Sequence, residues 1–143
     1  MLERAAATGE DLQIEMPSGS VLTYKKCRYR RVPMKEGGGN EIVAEIMRNG
    51  MAQTTRLWPS VIYENLCQKM ARDCFAACLL RLHEEGYRVA LHVHDEAVVE
   101  VPEADAEYHR SRIEELMSVT PAWAPGLPVA AEATIAKRYS EAK

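Results

Sequence analysis

The sequence predicts an α+β fold: an antiparallel sheet with helices packed on one face, plus a β-hairpin appendage at the N-terminus. Three observations predict it. Alternating apolar residues and turn signals fill residues 11–58. A helical period then runs over 59–85. After it come two β-rich runs flanking an acidic pair, a second helical stretch and a last alternating run.

Taken in order, the N-terminal Leu2-Glu3-Arg4-Ala5-Ala6-Ala7 has an early acid and no sustained apolar stretch, so it reads as a short helical turn ending near Gly9 and not as a signal peptide. Gln13-Ile14-Glu15-Met16 and Val21-Leu22-Thr23-Tyr24 alternate around the turn chemistry of Pro17-Ser18-Gly19. Lys25, Lys26, Arg28, Arg30 and Arg31 follow, with Tyr24 and Tyr29 interleaved. Such a run suits a phosphate-facing surface. It equally suits a solvated edge strand protected against aggregation. Residues 36–40 form a Gly-rich connection, residues 41–47 a further strand, and Asn49-Gly50 a tight turn. No second core is evident before Pro59, so 1–58 is assigned as an appendage and 59–143 as the main body of one structural unit.

Pro59 suits a first helical turn. From there Ile62, Leu66, Met70, Cys74, Ala77 and Leu80 recur at three or four residues, the stripe of a half-buried helix, and Gly86 supplies its left-handed cap. Val89, Leu91 and Val93 before the acidic pair, and Val99 and Val101 after it, pack a hairpin with Asp95 and Glu96 at or beside its tip. Residues 103–118 read as a helix with Ala106, Ile113, Leu116 and Met117 inward. Pro121, Pro125 and Pro128 stiffen a connector around Trp123, residues 129–135 read as a last strand, and the polar tail is exposed.

Composition narrows the function. The 143 residues carry a net charge of −3, whereas a free-standing nucleic-acid binder usually has a basic excess. No run of 18 apolar residues exists, so no membrane span is expected; a cytoplasmic location is the expectation. Cys27, Cys67, Cys74 and Cys78 lack a Cys-x-x-Cys spacing; the last three share a helix face and read as small buried groups in a reduced compartment.

The acidic tip is the chemical focus. A carboxylate held on a tight hairpin is rigid and can bind a hard cation such as Mg2+ through oxygen. Acidic residues are also ordinary turn formers, which leaves a purely structural reading open. His92 and His94 share a strand face and, with Asp95, raise a zinc reading, but no third ligand stands at a recognisable spacing; His83 and His109 lie on helices.

Val93-His94-Asp95-Glu96-Ala97-Val98-Val99-Glu100-Val101-Pro102 resembles the third polymerase motif of family A (DNA polymerase I-like) DNA polymerases. Glu64-Asn65-Leu66-Cys67-Gln68-Lys69-Met70-Ala71-Arg72-Asp73 resembles the helix leading into it, particularly in the phage-type branch. Trp123-Ala124-Pro125-Gly126-Leu127-Pro128-Val129-Ala130-Ala131-Glu132 resembles the family's C-terminal strand. Met16-Pro17-Ser18-Gly19 and Thr55-Arg56-Leu57-Trp58 fit the same branch, so the resemblance covers the chain from Asp11 onward. It implies a palm-type sheet, with 59–143 as the distal palm. It also implies that Asp95 is a ligand of the catalytic metals, Glu96 supports the primer terminus, His94 contacts the primer backbone and Gln68 touches the duplex minor groove. Glu64 or Asn65 would line this surface, the spacing allowing either, and Arg72 is a DNA contact or, by preference, a helix-surface charge.

The family's first motif and its fingers motif are missing. Asp11-Leu12-Gln13-Ile14-Glu15 superficially resembles the first motif, but it is one residue short and too near the third. The expectation is therefore a palm fragment or small subunit of a split polymerase, inactive alone. The initiating methionine and a self-contained C-terminus favour a separately made chain. A larger chain would carry the first and second motifs, complete a two-metal Mg2+ site, and bring primer-template DNA and dNTP. The alternative is a non-catalytic, palm-derived module for DNA docking or assembly.

Overall fold

A computed structural model describes residues 2–141, which form two compact units, one up to Met70 and one from Ala71 onward. Helix and strand are mixed, and the class is α+β as the periodicities predict. Each unit has its own sheet.

In the first unit, helix α1 (Leu2–Thr8) precedes a four-stranded antiparallel meander of β1 (Leu12–Glu15), β2 (Val21–Arg31), β3 (Asn40–Arg48) and β4 (Met51–Arg56). The turns fall where the sequence placed them. Gly19 takes a φ of 82° between β1 and β2, and Asn49-Gly50 joins β3 to β4 with φ of 52° and 75°. Both residues of that second turn are left-handed, which an Asn-Gly pair tolerates best.

No separate core was expected before Pro59, yet one exists. Ala5, Leu12, Tyr24, Cys27, Ala44 and Leu57 are buried together, with Ile42, Ile46 and Ile62 packed against them. Its signal is hidden by a β-bulge. Tyr24 and Cys27 are three apart, so strict alternation would send them to opposite faces. An extra residue, Lys26, adopts a φ of 49° and resets the register between Lys25 and Arg28. Its displaced N–H donates to Asp11 Oδ1 at 2.9 Å, and the Cys27 N–H donates to the Glu10 carbonyl. Asp11, the would-be first-motif acid, thus pins a bulge beside a plain strand.

Helix α2 (Pro59–Glu84) ends at Gly86, whose φ of 90° and hydrogen bond to the His83 carbonyl make the expected cap. The two units divide within this helix. Its expected single stripe does not hold throughout. Beyond Met70 the buried positions are Phe75, Cys78 and Leu82, while Leu80 is 62% exposed. The helix serves two cores, and one stripe cannot follow both.

In the second unit, β5 (Val89–Val93) and β6 (Glu96–Val99) form a two-stranded antiparallel hairpin. A 3₁₀ turn over Glu103–Asp105 leads into α3 (Ala106–Met117), with Leu116 buried and Ile113 and Met117 half-buried. The last turn of α3 leaves carbonyls without helical partners. Arg81 donates to the Leu116 carbonyl and Cys78 Sγ lies 3.3 Å from that of Met117. A cation at a helix C-terminus also meets the negative end of its dipole.

The last strand does not form. Residues 129–135 carry no regular secondary structure, and the second sheet contains β5 and β6 alone. The N–H of Ala131 donates to Ser118 Oγ at 3.1 Å and that of Ala133 to Glu114 Oε1 at 2.9 Å. Side chains of the α3 end thus take the donors that a neighbouring strand would have taken. Leu91 and Val93, expected to be packed, are substantially exposed, as befits a two-stranded sheet with few neighbours to cover it.

The thiols also differ among themselves. Cys27 and Cys78 are buried, Cys74 is half-buried and Cys67 is exposed. Burial pushes the Cys27 and Cys78 thiols up, a backbone hydrogen bond at Leu12 and the Arg81 charge offsetting it in part, so both are poor nucleophiles.

Candidate functional site

The strands of the β5–β6 hairpin hold its tip tightly. Val93 pairs with Glu96 and His92 with Ala97, leaving His94 and Asp95 as the two turn residues. Asp95 is therefore at the tip, and Glu96 is the first residue of β6. His94 adopts a φ of 54°, a left-handed conformation that costs a side-chain-bearing residue about 1–2 kcal/mol. Glycine would fill this position without strain, and histidine is among the other residues that take it more readily.

His94, Asp95 and Glu96 are all exposed. Glu96 accepts a long hydrogen bond from the Tyr139 hydroxyl at 3.4 Å. His92 sets its ring edge-on to Phe75 at 5.9 Å, which occupies it in packing. Among the described residues no group of three His, Cys, Asp or Glu is placed to hold a metal ion, His92, His94 and Asp95 included.

Asp95 and Glu96 border a cleft of about 810 Å³ within the second unit. Phe75 and Cys78 of α2, Val98 of β6, Ile113 and Met117 of α3, and the segment from Leu127 to Ala136 line it. Arg110, Glu132 and Arg138 line it as well, so apolar and charged side chains meet there. Asp95 presents exposed carboxylate oxygens, the donor type that a hard cation takes. Octahedral Mg2+ would fill its remaining positions with water or with groups from another molecule.

The remaining candidates divide between the units. Arg72 lies in the second unit, exposed on α2. Glu64, Asn65 and Gln68 lie on the part of α2 that belongs to the first unit. Glu64 and Gln68 are exposed, whereas Asn65 is half-buried and donates its amide to the Tyr24 hydroxyl at 2.8 Å. Asn65 thus has a structural partner that its spacing did not reveal. The sequence reading also missed Tyr139, for which no motif signals a contact with Glu96. It missed Glu41 too, the one buried charged side chain among the described residues. Its place opposite Arg30 on a neighbouring strand is its signal, and that requires the register.

Among the described residues no helix is long and apolar enough to cross a membrane. No family model and no solved structure matches the chain. It is 33% identical to a DNA polymerase of Bacillus phage SP02 over 132 residues, which is 91% of this chain and 20% of that protein. It is 31% identical to a DNA polymerase of Mycobacterium phage L5 over 90 residues, 62% of this chain and 15% of that protein. The chain thus spans a fifth or less of the polymerases it matches, and its relationship is to one stretch of a phage DNA polymerase.

Proposed function

We propose that the chain is the distal palm piece of a family A DNA polymerase of the phage type, and that Asp95 is its contribution to a two-metal Mg2+ site. The observation that carries this reading is the hairpin tip. The exposed carboxylate of Asp95 stands on a tight turn and that of Glu96 begins the strand after it, both bordering a cleft, in a chain similar to a stretch of phage DNA polymerase. Phosphoryl transfer needs metal ions that activate the attacking hydroxyl and neutralise the transferred phosphate.

In this reading Asp95 ligates the metals, Glu96 supports the primer terminus, His94 contacts the primer backbone, and Gln68, with Glu64 or Asn65, meets the duplex. A single aspartate cannot hold two ions, so the second acidic ligand and the groups gripping the nucleotide come from a larger chain. The chain is inactive alone and functions in that complex.

The test is primer extension by the two chains together, in Mg2+. Asp95→Ala should abolish extension while co-elution of the chains persists. Retained extension would remove Asp95 from the metal site and leave the non-catalytic docking module as the better reading. Failure of the two chains to co-elute would end the split-subunit assignment.

A further inference from the structure

The outer face of the first unit's sheet carries an arrangement that the hairpin tip does not use. Strand register defines it. Arg28 of β2 and Arg56 of β4 both lie opposite Val43 of β3, and Arg30 lies opposite Glu41 on the next row. Directly opposed residues share a sheet face, so all five project away from the core formed by Ala44 and Tyr24. Val43 is buried although it is on the outer side, in register between Arg28 and Arg56.

Glu41 and Glu45 between them engage four cations. Arg30 and Arg56 both bond Glu41, while Lys26 and Arg28 both reach Glu45, at 2.9 and 3.6 Å. Two positive charges remain uncompensated within this cluster. Glu41 is 8% exposed, so the acid is sunk beneath the guanidiniums it orients. Each guanidinium has five N–H donors in a planar fork, and one carboxylate satisfies only part of two such forks. The Arg56 guanidinium also lies 5.4 Å from the ring centroid of Trp58, which is 52% exposed. The charge of the whole chain conceals this cluster. Residues 1–70 carry ten Lys and Arg against eight Asp and Glu, and residues 71–143 carry eight against thirteen.

We propose that this outer face binds the phosphodiester backbone of nucleic acid through Arg28, Arg30 and Arg56, with the Trp58 ring offered to a base. Buried Glu41 fixes two of the three forks before the ligand arrives, so less side-chain entropy is lost on binding. Arginine forks match phosphate oxygens in pairs, and an exposed indole beside them is the usual means of holding an unpaired base. The surface stands apart from the function proposed for Asp95 and does not depend on it.

The test is anisotropy of labelled single-stranded and duplex oligonucleotides titrated with the full-length chain at several salt concentrations. Three phosphate contacts predict a slope of log K against log salt of about −2 for single strands and about −3 for duplex. Arg28→Gln does not touch Glu41 and should remove roughly 0.7 to 0.9 of that slope. Adding Arg56→Gln should weaken low-salt binding about tenfold, with thermal unfolding confirming that the variant is folded. In a Trp123→Phe background, single-stranded DNA should quench Trp58 fluorescence and polyglutamate should not. No measurable binding, or Arg28→Gln binding with an unchanged slope, overturns the proposal. Equal competition by polyglutamate also overturns it, reassigning the face to acidic proteins. Because the readout is binding by this chain alone, loss of extension in Asp95→Ala leaves the result untouched.

Discussion

Asn65 donates its side-chain amide to the hydroxyl of Tyr24 at 2.8 Å, tying the first turns of helix α2 to the most deeply buried tyrosine of the four-stranded sheet. This bond gives Asn65 a structural task whether or not it also meets DNA.

Tyr24→Phe should cost about 1 kcal/mol, the net worth of such a bond, and Asn65→Ala a similar amount or more because the phenol is left buried without its donor. Urea denaturation followed by circular dichroism measures both. If Asn65→Ala lowers extension by the complex without lowering stability, its main role is at the DNA after all.

Glu41 should contribute to the acid limb of the stability curve, alongside Glu45, which Lys26 and Arg28 also hold below the usual carboxylate range. Burial pushes the Glu41 carboxyl up, but hydrogen bonds and charge from Arg30 and Arg56 outweigh this and hold it below the usual carboxylate range. The native state then binds fewer protons than the unfolded state between the two values. Stability from this group is complete above roughly pH 4, near the unfolded value, and drains away as pH falls through the folded one. A series of melting temperatures from neutral to acid pH should fall more gently for Glu41→Gln than for the wild type. Parallel curves would mean that the carboxylate is not selectively stabilised.

Leu82 and Leu80 separate the faces of α2. Leu82 is 0% exposed, and Leu82→Ala should cost about 2–5 kcal/mol through lost burial and the cavity left behind. Leu80→Ala should stay within about 0.5 kcal/mol. Chemical denaturation of the two variants checks the assignment, and reversed magnitudes would restore the face that periodicity suggested.

His94 carries strain that glycine would remove. His94→Gly should raise hairpin stability by up to about 1 kcal/mol, and His94→Ala should not, because alanine keeps the Cβ that disfavours the left-handed region. Under the polymerase reading both should weaken primer extension, His94→Gly despite its higher melting temperature. A glycine variant with full extension would make the histidine dispensable.

Much of this protein is legible in one dimension because its signals are local. Pro17-Ser18-Gly19, Asn49-Gly50 and Gly86 mark chain reversals by backbone conformations that few residues accept, and each reversal occurs where it is marked. The α+β class and the acidic hairpin tip follow from periods of two and 3.6 that neighbouring residues set among themselves. Tertiary structure decided what depends on distant partners. The core of the first unit needs the bulge at Lys26 to bring Tyr24 and Cys27 to one face, and Asp11 stabilises that bulge from fifteen residues away. Residues 129–135 alternate like a strand, but alternation supplies no partner, and Ser118 and Glu114 took their donors instead. Glu41 looks like any surface acid until register sets it between Arg30 and Arg56. Period and turn chemistry are properties of adjacent residues, whereas burial and charge pairing belong to whichever residues folding brings together.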